Sequence, residues 1–195
     1  MDLTGVRAGF ALTGSFCTLK KTIAVLPKLV AKGMDILPLM SEKVVSTDTR
    51  FGTAEEFRKE VEEICGKKII STIKDAEPIG PKNLVDIMIV APCTGNTLSK
   101  IAGGITDSAV AMAVKASLRN GNPLLLAIST NDGLAGSARN IGQLLNTKNV
   151  FFVPFGQDSP IGKPTSLVAD MNYLPKAAEA ALSGEQIQPI LLKTP

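Results

Sequence analysis

Histidine is absent from all 195 residues of this chain. Without an imidazole there is no Ser-His or Cys-His nucleophile pair and no histidine-ligated metal, so acid–base chemistry falls to Asp, Glu, Lys, Tyr, Cys or a bound cofactor. Tryptophan is absent too and there is one tyrosine, which leaves little for a base-stacking surface. The charges, 21 Lys and Arg against 18 Asp and Glu, give a small and dispersed +3 that does not suit nucleic acid. No apolar run approaches the ~20 residues of a membrane span. The amino-terminal residues lack the ordered basic and apolar regions of a signal peptide, so a cytoplasmic protein is expected. Cys17, Cys65 and Cys93 are odd in number and lack paired spacing, which argues against a disulfide framework and against a zinc site. Reduced thiols and no metal follow.

What is present reads as one globular domain over residues 1–195, 45% hydrophobic, with an aperiodic tail from 184 that is either disordered or docked on a neighbouring subunit. Short apolar runs at 7–12, 35–40, 68–73, 85–91, 124–129 and 150–153 predict strands, and Pro38 either weakens the second or places it where a donor is not needed. Helical spacing fills the gaps. Phe16, Leu19, Ile23, Leu26 and Val30 share one face, broken by Pro27. A Thr53–Glu56 capping box opens a helix to Cys65, and others cover 107–118, 137–145 and 173–182. Alternating strands and helices imply a three-layer α/β/α, Rossmann-like fold with a mainly parallel sheet of about six strands. The Pro/Gly-rich stretches 77–82 and 156–164 read as long loops over the ligand edge.

The polar turns that follow the strands carry the functional argument. Thr13-Gly14-Ser15 hands a strand to a helix amino terminus, where free N–H groups and the helix dipole favour an anion. Gly14 admits close backbone approach and Ser15 adds a donor, although a plain serine cap is the competing reading. Phe16 opens that helix. Ser41 follows the second strand and is either a helix cap or a ligand contact from a neighbouring turn. Thr94, Gly95, Asn96 and Thr97 supply two hydroxyls, an amide and a flexible backbone directly after the strongest strand, either as ligand contacts or as a polar loop that caps the following helix. Ser129, Thr130, Asn131 and Asp132 follow the fifth strand as a plain turn or as contacts to a cofactor ring or a substrate. Cys93 reads as a small apolar filler, Lys100 as a solvated side chain, Asp107 as a helix cap and Arg139 as an anchor for a carboxylate. No catalytic residue stands out.

Pro92-Cys93-Thr94-Gly95-Asn96-Thr97-Leu98, followed by Ile101-Ala102 and Gly104-Ile105-Thr106-Asp107, resembles a motif of the flavin-binding family that includes the cysteine-peptide and phosphopantothenoylcysteine decarboxylases and the flavin prenyltransferases. Gly14-Ser15 and the Ser41-Glu42 turn match two further elements, and the resemblance spans about residues 5–155. It implies a pocket for FMN, with phosphate near the first two turns and the Thr94–Thr97 groups along ribityl and phosphate. The cofactor contacts expected on this basis are Gly14, Ser15, Phe16, Ser41, Thr94, Gly95, Asn96, Thr97, Ser129, Thr130 and Asn131.

The chain lacks the decarboxylases' histidine and their Pro-x-Met-Asn-x-x-Met-Trp segment, for which Asp170-Met171-Asn172-Tyr173 is no substitute. It also reads Ser129-Thr130-Asn131-Asp132 where prenyltransferases carry Arg-Glu-Thr-Pro. Segments 10–20, 91–107, 127–134 and 154–158 instead point to a branch whose members oxidise a dihydrodipicolinate-type ring dicarboxylate to its aromatic product during sporulation, in the mother-cell cytoplasm. That resemblance implies an oxidoreductase subunit, a partner A subunit that resembles a nicotinamide-dependent dehydrogenase and carries NAD(P), and a homo-oligomer of trimers or their multiples. Arg139, Lys163 or the partner would meet the substrate carboxylates. The alternative is a supporting subunit with the same fold and no bound flavin.

Overall fold

The computed structural model describes residues 3–193. Strands β1 (Arg7–Leu12), β2 (Asp35–Met40), β3 (Ile87–Cys93), β4 (Leu124–Thr130), β5 (Val150–Phe152), β6 (Phe155–Ser159) and β7 (Lys163–Ala169) form one seven-stranded sheet. They alternate with helices α1 (Phe16–Ile23), α2 (Leu26–Ala31), α3 (Glu42–Ser46), α4 (Ala54–Cys65), α5 (Ile73–Ala76), α6 (Gly95–Ala102), α7 (Ala109–Arg119), α8 (Ala138–Leu145) and α9 (Leu174–Leu182). The order is β2-β1-β3-β4-β7-β6, with β5 also on β4. β1 to β5 are parallel, and the β6–β7 hairpin is antiparallel. This is the expected three-layer α/β/α fold.

The central strands are apolar on both faces because helices cover both. Every residue of β3 is buried, as are Leu124 to Ser129 of β4. Each large side chain there contributes about 1.5–3 kcal/mol by leaving water. Gly9 lets β1 sit under Met88, whose sulfur lies 2.6 Å from where a Cβ would stand. Pro38 is tolerated because its nitrogen faces the outer side of β2, where the alternate N–H, that of Met40, meets the Ile70 carbonyl.

Pro27 breaks the first helical stretch into α1 and α2, as its missing N–H requires. The restart turns the face, so Leu29 is buried and Val30 is 39% exposed, contrary to the expected stripe. The Thr53–Glu56 capping box forms in both directions, at 3.1 and 2.8 Å, and Gly66 ends α4 in the left-handed region at φ 63°.

Four expectations are corrected. Residues 68–73 are not a strand: Ile70 alone bridges Leu39, and Thr72 then caps α5. Residues 77–82 hold a 3-10 turn (Glu77–Ile79) that leads into β3, so they lie at the amino edge of the sheet, where Asn120 donates to the Gly80 carbonyl. Residues 156–164 are no loop but most of the β6–β7 hairpin. Its β7 pairs with the end of β4 (Ser129↔Val168, Thr130↔Leu167) and so stands at the carboxyl edge. Residues 184–193 return along this same chain. The Gln186 side chain bonds Phe152 N–H and carbonyl, Phe155 N–H donates to the Ile190 carbonyl, and Leu192 N–H donates to the Phe155 carbonyl.

Candidate functional site

The carboxyl ends of β1, β2, β3 and β4 bring the polar turns to one edge, where two adjoining clefts share Gly14, Phe16 and Thr94. The first, about 480 Å³, runs past Ser15, Gly95, Ser129, Thr130 and Asn131 toward the hairpin. The second, about 490 Å³, runs past Ser41, Asn96 and Thr97 to Lys43 and Lys100. All eleven expected cofactor contacts therefore line one continuous edge.

A framework of internal hydrogen bonds holds the turns. Thr13 is buried; its hydroxyl donates to the Pro92 carbonyl at 2.6 Å and accepts from Thr94 N–H at 3.0 Å, tying the β1 and β3 turns together. Ser129 Oγ sits 2.8 Å from both Ser15 Oγ and Thr18 Oγ1, which joins the β4 end to α1. Ser15 thus spends its hydroxyl on this cluster and makes no side-chain cap bond. Thr94 caps α6 by accepting from Thr97 N–H at 3.3 Å. Asp132 accepts from the Thr130 hydroxyl at 2.5 Å and from Ser137 at 2.8 Å, and these bonds hold its carboxyl below the ordinary range. A Cβ on Gly95 would stand 2.5 Å from Thr130 Oγ1 and 2.8 Å from Ser137 Oγ, so this packed cluster requires glycine.

Other groups at the edge are uncommitted. Ser41 Oγ is buried with no hydrogen-bond partner, and Ser41 makes no side-chain cap bond. A buried orphan hydroxyl costs about 1–3 kcal/mol unless something meets it. Among the described residues, the side-chain amides of Asn96 and Asn131 and the Lys43 ammonium make no hydrogen bond or ion pair, and Arg50 meets only the Phe51 ring, at 4.9 Å. A Cβ on Gly14 would meet nothing closer than 3.7 Å, so the fold itself does not require glycine there, whereas a ligand held against that backbone would. This set suits a ligand with a phosphate, hydroxyls and a flat ring. The amino ends of α1 and α6, Lys43 and Arg50 supply positive potential, Ser41 and Asn96 supply polar contacts, and Phe16, Phe51 and Val168 supply apolar surface.

Some expectations fall elsewhere. Ser108, not Asp107, caps α7, because Asp107 pairs with Lys100 at 2.7 Å. Lys100 is therefore an engaged wall of the second cleft rather than a solvated side chain. Arg139 is exposed on α8 and lines neither cleft. Cys93 is buried and burial pushes its thiol up, which fits a filler. Asp158 lies in the 156–164 stretch expected over this edge, but sequence reasoning does not reach Arg50, Phe51, Ser166 and Val168, which arrive at the first cleft from distant loops and from the hairpin. Nor does it mark Cys17 as more than a reduced thiol. Lys163 does line this cleft, paired with Asp158 at 2.7 Å.

Comparison with known proteins agrees with this geometry. The flavoprotein family model matches residues 1–172. The B subunit of dipicolinate synthase from Bacillus subtilis (strain 168) is 48% identical over 192 residues, covering 98% of this chain and 96% of that protein. The crystal structure of the dipicolinate synthase B subunit from Bacillus halodurans C superposes with a TM-score of 0.91 at 45% identity, covering all of both chains. An FMN-dependent cysteine decarboxylase, SpaF, shares the fold at a TM-score of 0.67 and 18% identity, over 93% of this chain and 98% of that one.

Proposed function

The chain belongs to the flavoprotein family, and from that premise we propose that it serves as the B subunit of a dipicolinate synthase, with FMN held at the carboxyl edge of its sheet. The observation that carries the reading is the buried, unpartnered Ser41 hydroxyl beside the free Asn96 and Lys43 side chains. A folded protein that meets no ligand there would leave that hydroxyl unsatisfied at a cost. The 48% identical relative of that name supports the assignment of the reaction.

In this reading Ser41, Lys43, Asn96 and Thr97 hold the phosphate and ribityl end, and Ser129, Thr130 and Asn131 border the ring with Phe51. When bound, FMN supplies a hydride acceptor. Aromatisation of a dihydrodipicolinate-type ring breaks one C–H bond with its electron pair as hydride and releases one proton. No protein nucleophile is required, in keeping with a chain that has no histidine. NAD(P)+ held by the A subunit would supply the final electron acceptor. The residues here orient the ring, and the hairpin shields it from water. The setting is the mother-cell cytoplasm of a sporulating bacterium, and the chain assembles as a trimer or a multiple of trimers that docks the A subunit.

The test is reconstitution. The chain, the A subunit, NAD(P) and a source of dihydrodipicolinate are mixed, and product is followed at its ultraviolet absorbance. Formation that requires this chain and is lost on stripping FMN supports the reading. Equal formation without this chain contradicts it, and formation that needs the chain but not FMN favours a flavin-free supporting subunit.

A further inference from the structure

A third cleft, of about 860 Å³, opens beside the first, along the hairpin. Cys17, Asp158, Lys163 and Val168 line both, so the two spaces are contiguous at that seam. Its walls come from α1, from the hairpin, from the turn at 170–173 and from the returning tail, which brings Lys193. A Cβ on Gly156 would meet the Leu192 carbonyl at 3.1 Å, so β6 carries glycine where the tail packs on it.

The charges in this cleft are unevenly committed. Asp158 is spent on Lys163. Asp170 Oδ1 accepts from both the backbone and side-chain N–H of Asn172, at 3.0 Å each. Lys21 and Lys193, in contrast, make no ion pair or hydrogen bond among the described residues. Lys21 and Lys193 thus line separate walls of the cavity, while Asp158 is ion-paired and Asp170 is held by the N–H groups of Asn172. The chain's one tyrosine, Tyr173, is half-buried in the same cleft and offers a ring face and a hydroxyl that bonds to no other described residue.

We propose that this cleft is the substrate site, taking a small flat molecule with two carboxylates, one held by Lys21 of α1 and the other by Lys193 of the tail, with Tyr173 against its ring. The seam at Cys17 and Lys163 then sets the substrate's edge toward the first cleft. The inference rests on the proposed flavin reading for what lies across the seam, but not for the anion site itself. It also gives the ordered tail a role, since residues 186–193 deliver one of the two anchors.

The experiment is calorimetric titration of the full-length protein, with and without added FMN, using pyridine-2,6-dicarboxylate as the probe. Lys21→Met and Lys193→Met keep the aliphatic stems and remove one charge each. Lys28→Met, on the exposed side of α2, controls for net charge. The wild-type protein is expected to bind the probe, and each anchor variant to bind it about tenfold or more weakly, the usual size of a lost charge-assisted bond, with an unchanged melting temperature. Lys28→Met is expected to bind as wild type. Pyridine-2-carboxylate, with one acid group, is expected to lose sensitivity to one of the two lysines. The proposal is overturned if the wild-type protein does not bind the probe, if both anchor variants bind it as wild type does, or if Lys28→Met weakens it equally. If the probe binds through Lys21 and Lys193 while FMN does not bind, the anion site stands and the flavin reading fails. If FMN binds and the anchors are silent, the reverse holds.

Discussion

Ser41 and Gly95 make opposite statements about what the carboxyl edge is built for. Ser41 Oγ is buried and unmet, so Ser41→Ala removes a cost from the empty protein. We expect its melting temperature to hold or rise while FMN affinity falls about tenfold, the worth of one hydrogen bond to a polar ligand; thermal melts and FMN titration of the same preparation check both signs. Gly95 is held by the fold, because a Cβ there would press on Thr130 and Ser137. Gly95→Ala is expected to lower stability by about 1–3 kcal/mol, as overpacking does, and to weaken FMN binding along with it, measured by denaturant unfolding. At this scale the turns are legible because Gly, Ser, Thr and Asn directly after a strand have few structural duties besides caps and ligands. Arg50 and Phe51 are not legible: each reaches the cleft from far along the chain, and no local pattern marks it. Asp107 misleads because a carboxylate before a helix reads as a cap, whereas Ser108 takes that place and Lys100 holds the carboxylate.

The elements divide in the same way. β1, β3, β4 and the α4 capping box follow from apolar runs and cap chemistry, which are local. Thr53→Ala removes the α4 cap and is expected to cost about 1 kcal/mol, or about 2–4 °C in melting temperature for a chain of this size, with FMN binding untouched; differential scanning calorimetry and the FMN titration separate the two. The β6–β7 hairpin reads as a loop because Gly156, Pro160, Gly162 and Pro164 are turn residues by composition. Its strand character comes from partners: β7 takes up β4 where β5 ends, and such non-local pairing leaves no period in the sequence. Residues 68–73 show the converse, an apolar run with only Ile70 positioned to pair. The hairpin and the tail behind it shape the larger cleft, and they are the least legible parts of the fold.

For the whole molecule, the missing histidine becomes a statement about pH. No side chain has an ordinary pKa between those of the carboxylates and cysteine. The carboxylates that matter are held low: Asp86 by the Arg7 guanidinium, Glu62 by Lys68 and Asp132 by the Thr130 hydroxyl. A carboxylate with a folded pKa below its unfolded value adds stability that is full above the unfolded value and is lost as pH falls through the folded one. Melting temperature is therefore expected to be flat between about pH 5.5 and 7 and to fall below about pH 4, as scanning fluorimetry across a buffer series will show. A step near pH 6.5 would be foreign to this chain. The polar turns, the orphan Ser41 hydroxyl and the family support the central proposal, that the edge of the sheet holds FMN. Titrating FMN fluorescence with the purified chain tests it most directly. Quenching that saturates at one FMN per chain, and that Ser41→Ala shifts to higher protein concentration, is the expected result; fluorescence unchanged by folded protein in excess would contradict it.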